Sequence, residues 1–374
     1  MNLLLGGGRY NIKLSLDYFL GILVAIPFSY PNEPLYWFGL TAFILALPRM
    51  KFGKSAWITL SLILLFLSTV VVANLISPFQ DSIQIFSIAG TFLTMGCFMF
   101  RYCVMNLEEF LSGFLVVIGI YTLLTFIAFF VLEPYQYGFG LFVDSNYRMW
   151  AEGFLIEWPN VFCVFLVLGA YINWIRSNGF LASLNILAAV LTTSRMGILA
   201  IAIFALFFLL KRKLLPTATT ILIMLLVSAL ATYLISSNND VFLDYVSQRL
   251  FKISDRELIF NDMVTVFADN IFGVGNISFG EISELYTSYH SSFLKALIRY
   301  GIVGFIIYLL LILPRNPLWK LRAKENAPIV FFLVAGLVQD MLFHIHLVIM
   351  YSVLLEYREV RMRRERGNLV RADV

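Results

Sequence analysis

Residues 289–313 read YHSSFLKALIRYGIVGFIIYLLLIL. A polar tetrad, Tyr289-His290-Ser291-Ser292, runs directly into an apolar helix that is lightly charged at Lys295 and Arg299 and punctuated by Gly301 and Gly304. A run of this length and apolarity is what a bilayer-crossing helix needs. Upstream, from Ser236, lies a polar loop of roughly fifty residues that contains Arg249, Arg256 and Gly273-Val274-Gly275. Nearly everything on either side is membrane.

The chain is 374 residues long, 60% hydrophobic and 13% charged, far more apolar than an ordinary globular domain. Its apolar runs do not alternate with the period of two that a barrel strand requires, so the spans are helices. Hydropathy places them at 14–30, 35–48, 55–77, 83–100, 110–132, 154–175, 179–193, 196–210, 214–235, 296–313, 328–340 and 343–357. The predicted fold is therefore all-α: one polytopic membrane domain covering 1–374, with about twelve transmembrane helices.

Lys and Arg near span ends set the orientation. Arg9, Lys13, Arg49, Lys51, Lys54, Arg101, Arg176, Lys211 to Lys213, Arg315 to Lys324 and Arg358 to Arg366 fall on alternate connections. Together they mark the cytoplasmic side, with both termini there. The large loop 236–295 and the smaller loop 133–153 then face the periplasm or the cell exterior. A single span over 328–355 would put the arginines from Arg358 onward outside, so that stretch is predicted to divide at Gln339-Asp340. By the same logic 179–210 divides at Ser194-Arg195, which puts Arg195 on the outer side.

That side carries more cations than the charge rule expects: Arg148, Arg195, Arg249, Lys295, Arg256 and Arg299. Guanidinium groups offer a planar fork of donors matched to phosphate oxygens, and a membrane supplies phosphate-linked lipids. The plainer alternative pairs these cations with Asp240, Asp244, Asp255, Asp262 and Asp269 as solvated salt bridges. His290, at the loop-to-helix junction, has the chemistry to move a proton to or from a hydroxyl, although a lone histidine is more often structural. His344 and His346, near Asp340, are secondary candidates of the same kind.

Other patterns exclude whole classes. No Asp-x-Asp pair stands on an outer loop to hold a divalent ion, so the expected reaction is metal-independent, with positive side chains stabilising a departing phosphate. No Walker or Rossmann fingerprint is present, no basic stripe with interleaved aromatics points to nucleic acid, and no cofactor is expected. Cys97, Cys103 and Cys163 fall in or beside apolar spans without a C-x-x-C pair and read as buried structural thiols. The N-terminus reads as a first span rather than a cleaved signal.

His290-Ser291, nine residues, Gly301, two residues, Gly304 resembles the signature of the O-antigen ligase and O-antigen polymerase superfamily. Arg256-Glu257-Leu258-Ile259-Phe260 followed by Phe272-Gly273-Val274-Gly275 is similar to that family's arginine and Gly-x-Gly elements. Thr193-Ser194-Arg195-Met196-Gly197 is similar to its Ser-Arg-x-Gly element, and Trp158-Pro159-Asn160 to its Pro-Asn element. The resemblance implies a GT-C type glycosyltransferase of the bacterial inner membrane. It would be inverting and metal-independent, and would act at the periplasmic face on undecaprenyl-diphosphate-linked oligosaccharide as donor and acceptor. Arg195 and Arg256 would grip the pyrophosphate and His290 would attend to the acceptor hydroxyl. Arg148, Arg249, Asn160, Lys295 and Arg299 would bind substrate. Membrane lipids and a chain-length regulator protein are the implied partners. Polymerisation of repeat units is the first expectation, ligation of the glycan to lipid A core the second, and export of lipid-linked sugar a rival from a different class.

Overall fold

A computed structural model describes residues 15–26, 37–79, 83, 85–131, 159–191, 199–200, 202–203, 207, 256–277, 291–314, 324–338 and 342–372. Of these, the side chains at 37, 128–131, 159–161, 190–191, 256–261, 324, 338 and 364–372 are left aside. The described elements are helices: α1 (Leu16–Val24), α2 (Trp37–Ala46), α3 (Lys54–Leu75), α4 (Ile85–Gly96), α5 (Leu107–Val131), α6 (Pro159–Ile175), α7 (Gly179–Leu191), α8 (Arg256–Asp269), α9 (Ser292–Ile312), α10 (Ala327–Val338) and α11 (Ile345–Ala372). Among the described residues there is no strand beyond an isolated bridge between Ile83 and Ile277.

Four described segments are long and apolar enough to cross a membrane: Lys54–Leu75, Ile85–Tyr102, Leu107–Ile127 and Ser292–Ile312. Shorter apolar helices accompany them, such as Ala327–Leu337. The chain is a multi-pass membrane protein whose described elements are helices. Large apolar side chains such as Leu64, Leu65, Leu75 and Leu123 stay exposed, as lipid-facing residues must when the surrounding solvent is itself hydrocarbon. Inside, aromatic rings lock the bundle: Phe66 of α3 meets Tyr300 of α9 edge-on at 5.0 Å, and Tyr308 of α9 stacks on Phe343 at 5.5 Å.

Among the described residues, several cations assigned to one side lie at one end of the bundle. Arg49 binds Asp17 through both guanidinium nitrogens at 2.9 Å, and Asp17 also accepts from the Asn106 amide at 3.0 Å. Arg176 reaches Glu108 at 2.8 Å, and Arg361 approaches the same carboxylate at 3.9 Å. The Lys51 amide donates to the Tyr102 carbonyl at 3.1 Å.

The division predicted at Gln339-Asp340 agrees with the structure. The helices α10 and α11 run antiparallel, because Arg358 donates to Asn326 at one end and Phe332 packs on Tyr351 at 5.1 Å midway. Arg361 thereby returns to the end where Lys51 and Arg101 lie. The last helix differs from the predicted 343–357 in continuing to Ala372. Its polar tail is rich in good helix formers and carries the i,i+4 pair Glu359–Arg363 at 3.3 Å, which supports helix beyond the apolar segment.

A second difference lies inside the large loop, where α8 forms. Met263, Val266 and Phe267 recur at helical spacing and pack with Val274, Ile277, Leu294 and Ile298. This small apolar cluster has its own residues, separate from the main core. It seats the loop on the bundle.

Candidate functional site

The site grows from a break in α9. Gly301 adopts φ 66° and ψ −173° inside the helix, a region open in practice only to glycine. In an uninterrupted helix the Ile302 amide would donate to the Ile298 carbonyl, and residue 303 to Arg299. Here the Ile302 amide donates instead to the Ile271 carbonyl at 3.0 Å. The carbonyls of Ile298 and Arg299 accept from Val274 at 3.0 Å and Gly275 at 2.9 Å.

The Gly-x-Gly stretch and the broken helix are therefore one interlocked unit. Gly273 has φ 94°, and a Cβ there would lie 2.5 Å from the Arg299 carbonyl oxygen and 2.6 Å from the Gly301 nitrogen. Only two bare backbones come this close. Gly304, three residues on, lies where a Cβ would be 3.0 Å from Thr69 Oγ1 of α3, so it sets how closely α9 approaches α3.

Immediately beyond Gly275, a buried polar network fixes the loop to α3 and α4. The Asn276 amide donates to Asn74 Oδ1 at 2.7 Å, and Asn74 Nδ2 donates to Asn276 Oδ1 at 3.2 Å. Asn276 Nδ2 donates to Thr91 Oγ1 at 3.0 Å and to Ser87 Oγ at 3.2 Å. Ser77 donates to the Val274 carbonyl. Buried polar groups that are each satisfied make such a network rigid. Asn74, Ser77, Ser87, Thr91 and Asn276 were not singled out from sequence; the available signal was polar side chains within or at the ends of the spans 55–77 and 83–100.

Arg299 belongs to this network. It is 7% exposed, and its guanidinium donates from Nη1 to Ser87 Oγ at 3.0 Å and from Nη2 to the Ile277 carbonyl at 2.7 Å. Lys295, one turn earlier, places its ammonium 4.7 Å from the centre of the Phe343 ring, a cation–π arrangement. Both are expected from sequence to bind substrate, and both sit beside the loop at the start of α9.

The start of α9 is equally fixed. Ser291 is its N-cap, its hydroxyl accepting from the Leu294 amide and reaching the Gly336 carbonyl, each at 3.3 Å. Ser292 Oγ accepts from the Leu342 amide at 2.9 Å. The two residues after position 290 are thus stitched to α10 and to the connection leading into α11. His346, in the first turn of α11, is buried and hydrogen-bonds through Nδ1 to the Val24 carbonyl at 2.9 Å.

His290, Arg195, Arg148 and Arg249 lie outside the described residues, as does Asp340. Arg256 is the first residue of α8 and Asn160 the second of α6, described by their backbones alone. The structure thus brings together the elements that carry residues 256, 273–277 and 291–304. No group of His, Cys, Asp and Glu fit to hold a metal ion occurs among the described residues. Cys97, Cys103 and Cys163 are buried and unpaired with one another.

Residues 180–309 match the family described as O-antigen ligase. That match spans the α9 break, the Gly-x-Gly stretch and positions 195, 249, 256 and 290. No curated protein matches the chain.

Proposed function

We propose, from the match of residues 180–309 to the O-antigen ligase family, that the chain is a GT-C type glycosyltransferase of the bacterial inner membrane with about twelve spans. It takes an undecaprenyl-diphosphate-linked glycan as donor and a second lipid-linked repeat unit as acceptor. The acceptor hydroxyl oxygen attacks the anomeric carbon, the bond from that carbon to the diphosphate oxygen breaks, and the configuration inverts. His290 receives the hydroxyl proton. Arg195 and Arg256 stabilise the departing diphosphate, supplying by preorganised charge what a metal ion supplies elsewhere. Arg148, Arg249, Asn160 and Lys295 contact glycan or phosphate. Arg299 holds the loop in register.

The observation that carries this reading is the interlock of the family-matched loop with the broken helix. It joins α8, which begins at Arg256, to α9, whose cap Ser291 follows the proposed base, and transfer chemistry requires such coupling of groups that meet at one reacting centre. In this reading loops 236–295 and 133–153 face the periplasm and both termini the cytoplasm. A chain-length regulator acts beside the enzyme.

A second reading, supported by the family's own description, keeps the donor and changes the acceptor to lipid A core. Full-length protein in nanodiscs, given a defined undecaprenyl-diphosphate repeat, is expected to extend it into a ladder of products. A single transfer only when lipid A core is added assigns the ligase. Movement of the lipid-linked glycan across the bilayer with no new glycosidic bond overturns both.

A further inference from the structure

The opposite end of the bundle holds a feature that glycosyl transfer does not use. A cavity of about 520 Å³ opens between the start of α3, the connection leading into α5 and the middle of α11. Five cations line it, namely Lys51, Lys54, Arg101, Arg361 and Arg363, against two carboxylates, Glu108 and Glu356. Glu108 is already engaged by Arg176 at 2.8 Å. The site is strongly positive.

Three independent observations point to an anion there. Arg101 is 8% exposed; it donates from Nη2 to Thr59 Oγ1 at 2.6 Å and stacks over Tyr102, while its Nε is buried with no hydrogen-bond partner among the described residues. A buried guanidinium facing a cavity without a paired carboxylate is costly unless an anion completes it. The N-terminus of α3, a helix of 22 residues, begins at Gly53 with no side-chain cap. Gly53, Lys54, Ser55 and Ala56 all line the cavity, so the positive end of the α3 dipole lies at its wall, where negative charge is favoured.

The third observation selects the kind of anion. Phe52 and Trp57 are exposed beside the cavity, their rings 5.3 Å apart, at the end of a membrane-crossing helix. Exposed aromatics at a span's end lie at headgroup level. The cavity therefore sits where lipid phosphates sit, between helices and on the basic side, as lipid-headgroup pockets do.

We infer that this cavity binds the phosphate headgroup of an anionic phospholipid, held by Arg101, the N-terminal end of α3 and the Lys51–Lys54 rim. The inference requires that the chain span a membrane and is independent of the transfer reaction.

Native mass spectrometry of the full-length protein tests it, with phosphatidylglycerol or phosphatidylcholine of matched acyl chains added in detergent. Preferential retention of one phosphatidylglycerol is expected. The double variant Lys51→Gln, Lys54→Gln, on the exposed rim, should lower that occupancy by roughly tenfold, and Arg101→Gln should lower it further. Equal retention of the two lipids, or unchanged retention by the double variant, overturns the inference. Displacement of phosphatidylglycerol by millimolar inorganic phosphate also overturns it, and assigns the cavity to a soluble anion.

Discussion

The amide of Gly275 donates to the carbonyl of Arg299 at 2.9 Å, joining a loop residue to a membrane helix at a point where that helix has released its own hydrogen bond. The released carbonyls of α9 are accordingly part of the binding surface for the loop. Any change that restores helical geometry at 301 removes that surface.

Gly301→Ala is expected to cost about 1–3 kcal/mol from backbone conformation alone, with a further loss because Phe272 and Ile271 crowd the same position. Thermal unfolding of the full-length protein in detergent measures it. Gly304→Ala, with normal helical backbone, should cost less, since its near neighbours are the Tyr300 and Thr69 side chains. Equal effects would refute the assigned importance of the break.

Asn276→Ala removes the partner of Asn74, Ser87 and Thr91 together. Stranding buried polar groups costs about 1–3 kcal/mol each where no other partner takes over. A fall of roughly 2–3 kcal/mol in unfolding free energy is expected, together with faster proteolysis within 256–277. Unchanged proteolysis would show that the network does not hold the loop.

Arg299→Lys keeps the charge and loses the two-pronged grip on Ser87 and Ile277. As a positioning residue it should lower the unfolding temperature and kcat while donor KM stays within about twofold. A raised donor KM with unchanged stability would instead make Arg299 a direct ligand.

His290→Ala and Arg256→Ala should leave the unfolding temperature where it is, as substitutions of groups proposed to contact substrate. Transfer should fall by about 10²–10⁴ for loss of a proton acceptor and by about 10²–10³ for loss of one charge-stabilising donor. Single-turnover assays with a defined lipid-linked donor measure both. Full activity of either variant removes that residue from the mechanism.

Much of the architecture was readable because a bilayer imposes long apolar runs, and because charge distribution distinguishes one end from the other. The hairpin of α10 and α11 followed from where Arg358 to Arg366 had to lie. The helix α8 was missed because its apolar positions serve a small cluster between the loop and α9, a weak signal amid polar neighbours. His290-Ser291, Gly301 and Gly304 were legible as a pattern, as was Gly-x-Gly. Their union was not, because it depends on pairings such as Asn74 with Asn276, 202 positions apart. Local spacing carries no trace of a partner so distant.

The hairpin also bears on how the chain is threaded during synthesis. At about 1.5 Å per residue, the 12 residues of α10 reach only about 18 Å, short of a hydrocarbon layer of about 30 Å. This helix is a poor substrate for insertion alone and should enter together with α11, as a preassembled pair. Folding back in that way, the pair leaves every arginine from Arg358 onward on the side where α10 began, so no basic tail has to be dragged through oil.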